Sequence, residues 1–227
     1  MQGTKKKAAA MAAAIAACLA HASALAAGGH HAVDDANILG RGQCENPNWL
    51  THGQDGENLL HAAINCGVGP VQIGGAVEAT RGGGTSDTAW LLEVKWAHEV
   101  ADGFSIGLDL QPGWQAHQRP HFTGAEFAAL ATWKLRDDLA LHANLGRDFV
   151  RGGPDLPRGG ISLEWEPVQH WSLVAERYLE DRTHFVRAGA RWAGGRSWSV
   201  DLSRAQRLSG PTPSNWTVGL TLLFGGD

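Results

Sequence analysis

Apolar residues recur at every second position, in short runs, along most of this chain. Near its end, Trp216, Val218, Leu220, Leu222 and Phe224 form one row, and Thr217, Gly219, Thr221 and Leu223 form the other. A period of two predicts a strand with two unlike faces. Trp90, Leu92, Val94 and Trp96 alternate in the same way with Leu91, Glu93, Lys95 and Ala97. So do Phe104, Ile106, Leu108 and Leu110 with Ser105, Gly107, Asp109 and Gln111. Twelve such segments can be traced, roughly 41–51, 58–67, 70–80, 88–99, 103–115, 124–136, 138–148, 158–167, 170–180, 184–194, 196–206 and 214–224. No stretch from Leu59 onward reads as an amphipathic helix. Pro47 cannot donate to a ladder, so the first segment is expected to carry a bulge or an edge irregularity.

The connections alternate too. Val68-Gly69, Ala101-Asp102-Gly103, Asp137-Asp138, Pro167-Val168-Gln169 and Gly194-Gly195 read as tight turns. Between them lie "THGQDGE", "RGGGTSD", "AHQRPHFTG", "GRDFVRGGPDLPR", "LEDRTH" and "AQRLSGPTPS", which read as longer polar loops. Segments of about nine to eleven residues, with short turns on one side and longer loops on the other, suit strands that cross a bilayer at a tilt. Tryptophan adds to this. Trp96 with Phe104, Trp133 with Leu139, Trp165 with Trp171 and Trp192 with Trp198 flank four of the tight turns. Trp49, Trp90, Trp114 and Trp216 lie toward the other ends of their segments. Two such belts fit the two membrane interfaces, where indole sits well at headgroup level. A soluble β-sandwich would alternate as well, but its closed core gives no reason for Trp rows on both margins.

Backbone groups in hydrocarbon must all be paired, so such strands must close without edges. The expected fold is therefore all-β: a transmembrane up-and-down antiparallel β-barrel of about twelve strands. Its outward rows include Leu92, Leu108, Leu163, Val200 and Leu220, with Val200 near mid-strand.

The first residues set the compartment. Lys5, Lys6 and Lys7 precede an apolar run from Ala8 to Ala20, and Ala24-Leu25-Ala26 offers a small-x-small cleavage site. That is the pattern of a secretory signal; the lipoprotein-like Ile15-Ala16-Ala17-Cys18 is the weaker alternative. The expected division is a signal peptide over 1–26, a flexible N-terminal segment over 27–40 and the barrel over 41–227. Cleavage removes the three lysines and no acidic residue, moving the formal net charge from -4 to -7. Such an acidic chain is a poor nucleic-acid binder. Cleavage also leaves Cys44 and Cys66, placed symmetrically about Asp55 in a Gly/Asp turn. A hairpin folded there sets the two cysteines opposite each other, as a disulfide near the periplasmic end requires.

The signal, the belts and the last strand ending in Phe224 together resemble small bacterial outer-membrane β-barrel proteins. In that class a C-terminal strand of alternating apolar residues with a late aromatic is similar to the signal read by the barrel-assembly machinery. This sequence departs from it by adding Gly225-Gly226-Asp227. The N-terminal "HHAVDDANILGRGQCE" more loosely resembles transporter-like barrels associated with phenol meta-cleavage pathways, and carries no functional residue across.

Parity with the outward rows sends Glu78, Glu93, Lys95, Asp109, Glu126, Lys134, Glu164, Glu166, Glu176, Arg187, Arg191 and Asp201 into the lumen. Eight acids cannot all pair with four bases, and buried charges need partners. This tilts the expectation toward a wet lumen that prefers small cations, hence a passive channel or transporter-like barrel for small solutes. A non-conducting structural or adhesion barrel filled by its own side chains is the alternative. An enzyme ranks third. His142-x-Asn144 is the nearest catalytic pattern, but it points inward with no serine forced beside it. No cofactor motif is present, and "RGGGTSD" reads as a loop tip rather than a phosphate cradle. His30 and His31 beside Asp34 and Asp35 could bind a divalent metal, but such a polar N-terminus is more often disordered, so no metal site is assigned. Arg147, Arg151, Arg158, Arg177, Arg182, Arg204 and Arg207 gather toward the long-loop ends, where lipopolysaccharide phosphates suit guanidinium groups.

Overall fold

The computed structural model describes residues 30–226; the expected signal peptide, with Cys18, lies outside the described residues. Twelve strands follow one another: β1 (Gln43–Gly53), β2 (Asn58–Val68), β3 (Val71–Gly82), β4 (Thr85–Ala101), β5 (Phe104–Gln115), β6 (Phe122–Arg136), β7 (Leu139–Val150), β8 (Leu156–Val168), β9 (Trp171–Glu180), β10 (Thr183–Ala193), β11 (Trp198–Ser209) and β12 (Asn215–Gly225). Each pairs with its sequence neighbours, and β1 pairs antiparallel with β12, so the sheet closes into a barrel. Closure leaves no unpaired edge.

Period-two alternation gives the wall its two faces. On β12, Trp216, Val218, Leu220, Leu222 and Phe224 are exposed outward, while Thr217 is buried inward. On β9, Ser172, Val174, Glu176 and Tyr178 are buried, and Trp171 and Leu173 are exposed. The register sets aromatic and large apolar residues side by side near the β4–β5, β6–β7, β8–β9 and β10–β11 turns. There Phe104 opposes Trp133, Leu139 opposes Trp165 and Trp171 opposes Trp192. At the other end Trp90 opposes Trp114. Trp49 breaks the expected pattern. It points inward and stacks on His61 with ring centroids 3.5 Å apart, because Leu50 takes the outward position on β1.

Three details depart from the sequence reading. "RGGGTSD" and "LEDRTH" are not long loops. Gly83 and Gly84, at φ 56° and 80°, close β3 onto β4 by themselves, and Asp181 and Arg182 do the same for β9 and β10. Conversely, the Gly194-Gly195 turn extends through Ser197. At Pro47 the expected irregularity takes the form of a gap in the β1–β2 ladder: pairing is interrupted at Asn46 and Pro47 and resumes at Asn48↔Ala62 in the same register. The Asn46 side-chain amide donates to the Ala63 carbonyl there. Finally, β11 starts at Trp198, so Val200 lies opposite Trp192 near the strand's beginning rather than at its middle.

Cys44 and Cys66 are directly opposite in the β1–β2 register and form a disulfide, with Cα atoms 4.1 Å apart. It lies at the end of the hairpin away from Asp55. The bond closes a segment of sequence separation 22, for which loop-closure entropy gives about 3 kcal/mol. Cys44→Ala with Cys66→Ala is expected to lower unfolding stability by about that amount, read from urea unfolding of the folded barrel in lipid vesicles. An unchanged midpoint would mean that the closed ladder already supplies the constraint.

Candidate functional site

The barrel interior is not filled by wall side chains alone. Residues 30–40, expected to be flexible, instead form a strap that crosses the lumen. Val33, Asp35 and Ala36 are buried completely or nearly so. The physical reason is that this short stretch alternates hydrogen-bonding backbone, acids and small apolar groups, each of which meets a complementary wall residue. Val33 packs with Tyr178, Phe185 and Ala205 in the apolar cluster of the interior. Burying such a side chain is worth about 1.5–3 kcal/mol. Gly160 on β8 permits the approach, since a Cβ there would come within 2.8 Å of Val33 Cγ2.

Polar anchors fix the strap at both ends. On β9, Glu176 accepts from the Ala32 and Val33 amides at 3.3 and 3.0 Å and from Arg187 of β10 at 3.0 Å. Arg187 also donates to the His30 carbonyl and lies over the Tyr178 ring. Further along, Lys95 of β4 meets Asp34 at 2.6 Å and Asp35 at 3.7 Å. The Ala36 amide donates to Thr132 Oγ1 on β6, and the Leu39 amide donates to Gln72 Oε1 on β3. Burial pushes the Asp35 carboxyl above the usual carboxylate range, against the opposing pull of Lys95. Burial likewise lowers the His30 imidazole to about 4, so that ring is neutral at pH 7.

The strap starts against β9–β11, at Glu176, Arg187 and Ser203, and runs past Thr132 of β6 to Lys95 of β4 and Gln72 of β3. Beside it remains a cavity of about 710 Å³, lined from all twelve strands and most fully by β1–β5. The inner row of β1, namely Gln43, Glu45, Pro47, Trp49 and Thr51, lines it from one end of the strand to the other. Four carboxylates on this wall hold neutral amides or an imidazole: Glu45 with Asn65, Glu78 with His61, Glu93 with Gln72, and Asp109 with Gln111. In all, eight carboxylates line the cavity against four lysine or arginine groups.

Of the twelve residues that parity assigns to the lumen, Glu78, Glu93, Lys95, Asp109, Glu126, Arg187 and Arg191 line this cavity. Glu164, Glu176 and Asp201 are buried in the network behind the strap. Lys134 and Glu166 have inward parity but sit exposed at the rim. Parity alone cannot see these differences, because they depend on strand height and on a segment from elsewhere in the chain. Sequence reasoning also missed Glu45, Glu180 and the strap acids Asp34 and Asp35. Glu45 was within reach: alternation from Leu50 along β1 points it inward.

Arg158 corrects the grouping of loop-end arginines. It faces the lumen and joins Glu126, Asp148 at 3.1 Å and Glu180 at 3.2 Å in a cross-strand ion cluster. Arg147 and Arg177 face outward, and Arg204 lies over the outward Trp216 ring, 5.1 Å from its centroid. His142 is bracketed by Thr132 Oγ1 at 2.9 Å and Glu164 at 3.4 Å. The Thr132 hydroxyl also accepts the Ala36 amide.

Known structures share this architecture. The KdgM porin superposes with a TM-score of 0.63 at 9% identity, covering 80% of this chain and 99% of the other. The COG4313 outer membrane channel from Pseudomonas putida F1 gives 0.58 at 10%, covering 85% and 98%. The Ralstonia pickettii toluene transporter TbuX gives 0.51 at 11%, covering 83% and 90%. At such identities the likeness is one of fold. No curated protein matches the sequence. A family model described as "Uncharacterised conserved protein UCP029691" matches residues 15–224, which spans all twelve strands, and the chain belongs to that family.

Proposed function

We propose that this protein is an outer-membrane barrel that passes small solutes passively, with a preference for cations, between its strap and the β1–β5 wall. The observation that carries the reading is the cavity's acidic lining, set inside a wall whose outer face is apolar. Fixed carboxylates attract counter-ions and repel anions. The fold shared with the KdgM porin and the COG4313 outer membrane channel supports both the compartment and the conduit. The outward Trp rows suit two interfacial belts. The N-terminal signal would deliver the chain to the periplasm, and the C-terminal strand ending in Phe224 would serve the assembly machinery. Outward Arg147, Arg177 and Arg204 suit lipopolysaccharide phosphates.

A second reading, a filled and non-conducting barrel, is favoured by the strap itself. Planar-bilayer recording separates the two. The conduit reading expects a small conductance with cation preference that weakens as salt rises, since screening shortens the reach of the charges. Glu45→Gln with Glu93→Gln should lower that preference without unfolding the barrel, because both side chains already rest on amide partners. A folded barrel without conductance would establish the filled reading, and clear anion preference would overturn the acidic-wall argument. Glu164 and Glu176, which parity alone would nominate for this test, belong instead to the strap's anchorage.

A further inference from the structure

Apart from the cavity, three buried side chains converge where the strap meets β11. His30 and His31 are consecutive residues of the strap, and Asp201 faces them from β11. Each side chain is 2% exposed or less, and one ligand atom from each lies within 4.8 Å of the other two. His30 Nδ1, His31 Nδ1 and Asp201 Oδ1 are all buried, and none has a hydrogen-bond partner. His30 Nδ1 makes an ion-pair contact with Asp201 Oδ1, and Arg191 stands opposite Asp201 across β10 and β11. Buried lone pairs cost free energy unless a shared proton or a cation lies among them.

The surroundings point to what that is. The other His30 ring nitrogen, Nε2, meets Ser203 Oγ at 2.6 Å. Such an outer contact fixes the tautomer of a metal-binding histidine. In the tautomer that donates Nε2–H to Ser203, the Nδ1 lone pair faces inward. The two rings lie nearly stacked, with centroids 4.6 Å apart. Glu176 Oε1 is 3.6 Å from His31 Nδ1, and its pairing with Arg187 at 3.0 Å offsets that guanidinium charge.

We propose that His30, His31 and Asp201 form a binding site for a divalent transition-metal ion of the zinc type, which clips the strap to the barrel wall. Two imidazole nitrogens and a carboxylate oxygen are the donors such an ion takes. Ligand atoms held about 2.0–2.2 Å from a tetrahedral ion are about 3.3 Å from one another, so closing the site takes a swing of roughly an ångström by one ring. Glu176 or a water molecule completes the fourth position. The spacing His30, His31, Asp34, Asp35 suggests a different donor set, but the structure commits both aspartates to Lys95. Asp201, far away in sequence, takes their place.

The test uses the full barrel folded in detergent, stripped with a chelator and titrated with zinc sulfate against a chromophoric zinc indicator. One ion per barrel is expected. His31→Ala should abolish that stoichiometric binding, and because His31 belongs to the strap, all twelve strands stay intact; heat-modified electrophoretic mobility checks this. Ser203→Ala should weaken binding by about 10–100-fold, the usual effect of removing an outer-shell partner. Absence of stoichiometric zinc in the unaltered barrel overturns the proposal. So does unchanged binding in both His31→Ala and Asp201→Asn, which would move the ion to the loop histidines His117 and His121.

Discussion

Deletion of residues 30–40 is expected to raise the conductance of the barrel several-fold while leaving the barrel folded. Small barrels of about eight strands are filled by their own side chains, and those of sixteen or more leave aqueous channels. Twelve strands fall between these, so a single inserted segment can decide how much of the lumen is open. Here the strap fills part of the lumen, held from the Tyr178–Phe185 cluster and Glu176 through Thr132 to Lys95 and Gln72. Removing it joins that volume to the existing cavity of about 710 Å³. The wall should survive, because the strap adds no strand to the closed ladder. Lys95, Glu176 and Arg187 would lose strap partners but gain solvent, which avoids the cost of leaving buried charges unpaired. Glu176→Gln offers a milder version. It keeps the strap but weakens its Arg187 pairing and both amide contacts, so intermediate conductance with larger fluctuations is expected. Planar-bilayer recordings on the deletion and on Glu176→Gln read both effects. Equal conductance in all three proteins would mean that the strap does not limit flow.

The barrel was legible in the sequence because membrane strands obey a local rule. Each outward row, such as Trp90 to Trp96, must be apolar whatever its neighbours do, and closure follows from the need to pair every backbone group. The Cys44–Cys66 pairing was legible for the same reason, since symmetry about Asp55 is a property of a single hairpin. The strap was not. Its residues carry no period, and what holds Val33 or Asp35 in place lies on β9 and β4, more than fifty residues away. Inward parity found Glu93 and Asp109 but could not tell that Glu176 and Asp201 would be spent on the strap. It also could not tell that Lys134 and Glu166 lie too near the rim to face the cavity. Trp49 illustrates the limit of residue type: indole suits an interface, yet on β1 the alternation set by Leu50 turns it inward onto His61.

Leu92→Arg is expected to destabilise the folded barrel by about 2–4 kcal/mol, the cost of a guanidinium on the lipid face near the bilayer midplane. Leu92 is 53% exposed on the outer wall and stands on β4 between Trp90 and Trp96, which mark the two ends of the apolar band on that strand. From there a long side chain must reach past Trp90 or Trp96 to bring its charge to water. Its cross-strand neighbour on β3 is Gly75, which offers no polar group to receive it. Gln111→Arg on β5 is the matched inward change. Gln111 lines the cavity and donates to Asp109, so a guanidinium there exchanges a neutral partner for a charged one beside Glu126. Its cost should be far smaller, and its effect should instead be a reduced cation preference. Urea unfolding of both variants in lipid vesicles gives the comparison directly. If Gln111→Arg proved the more damaging change, the inner and outer faces would be reversed, and the acidic wall could not line a conduit.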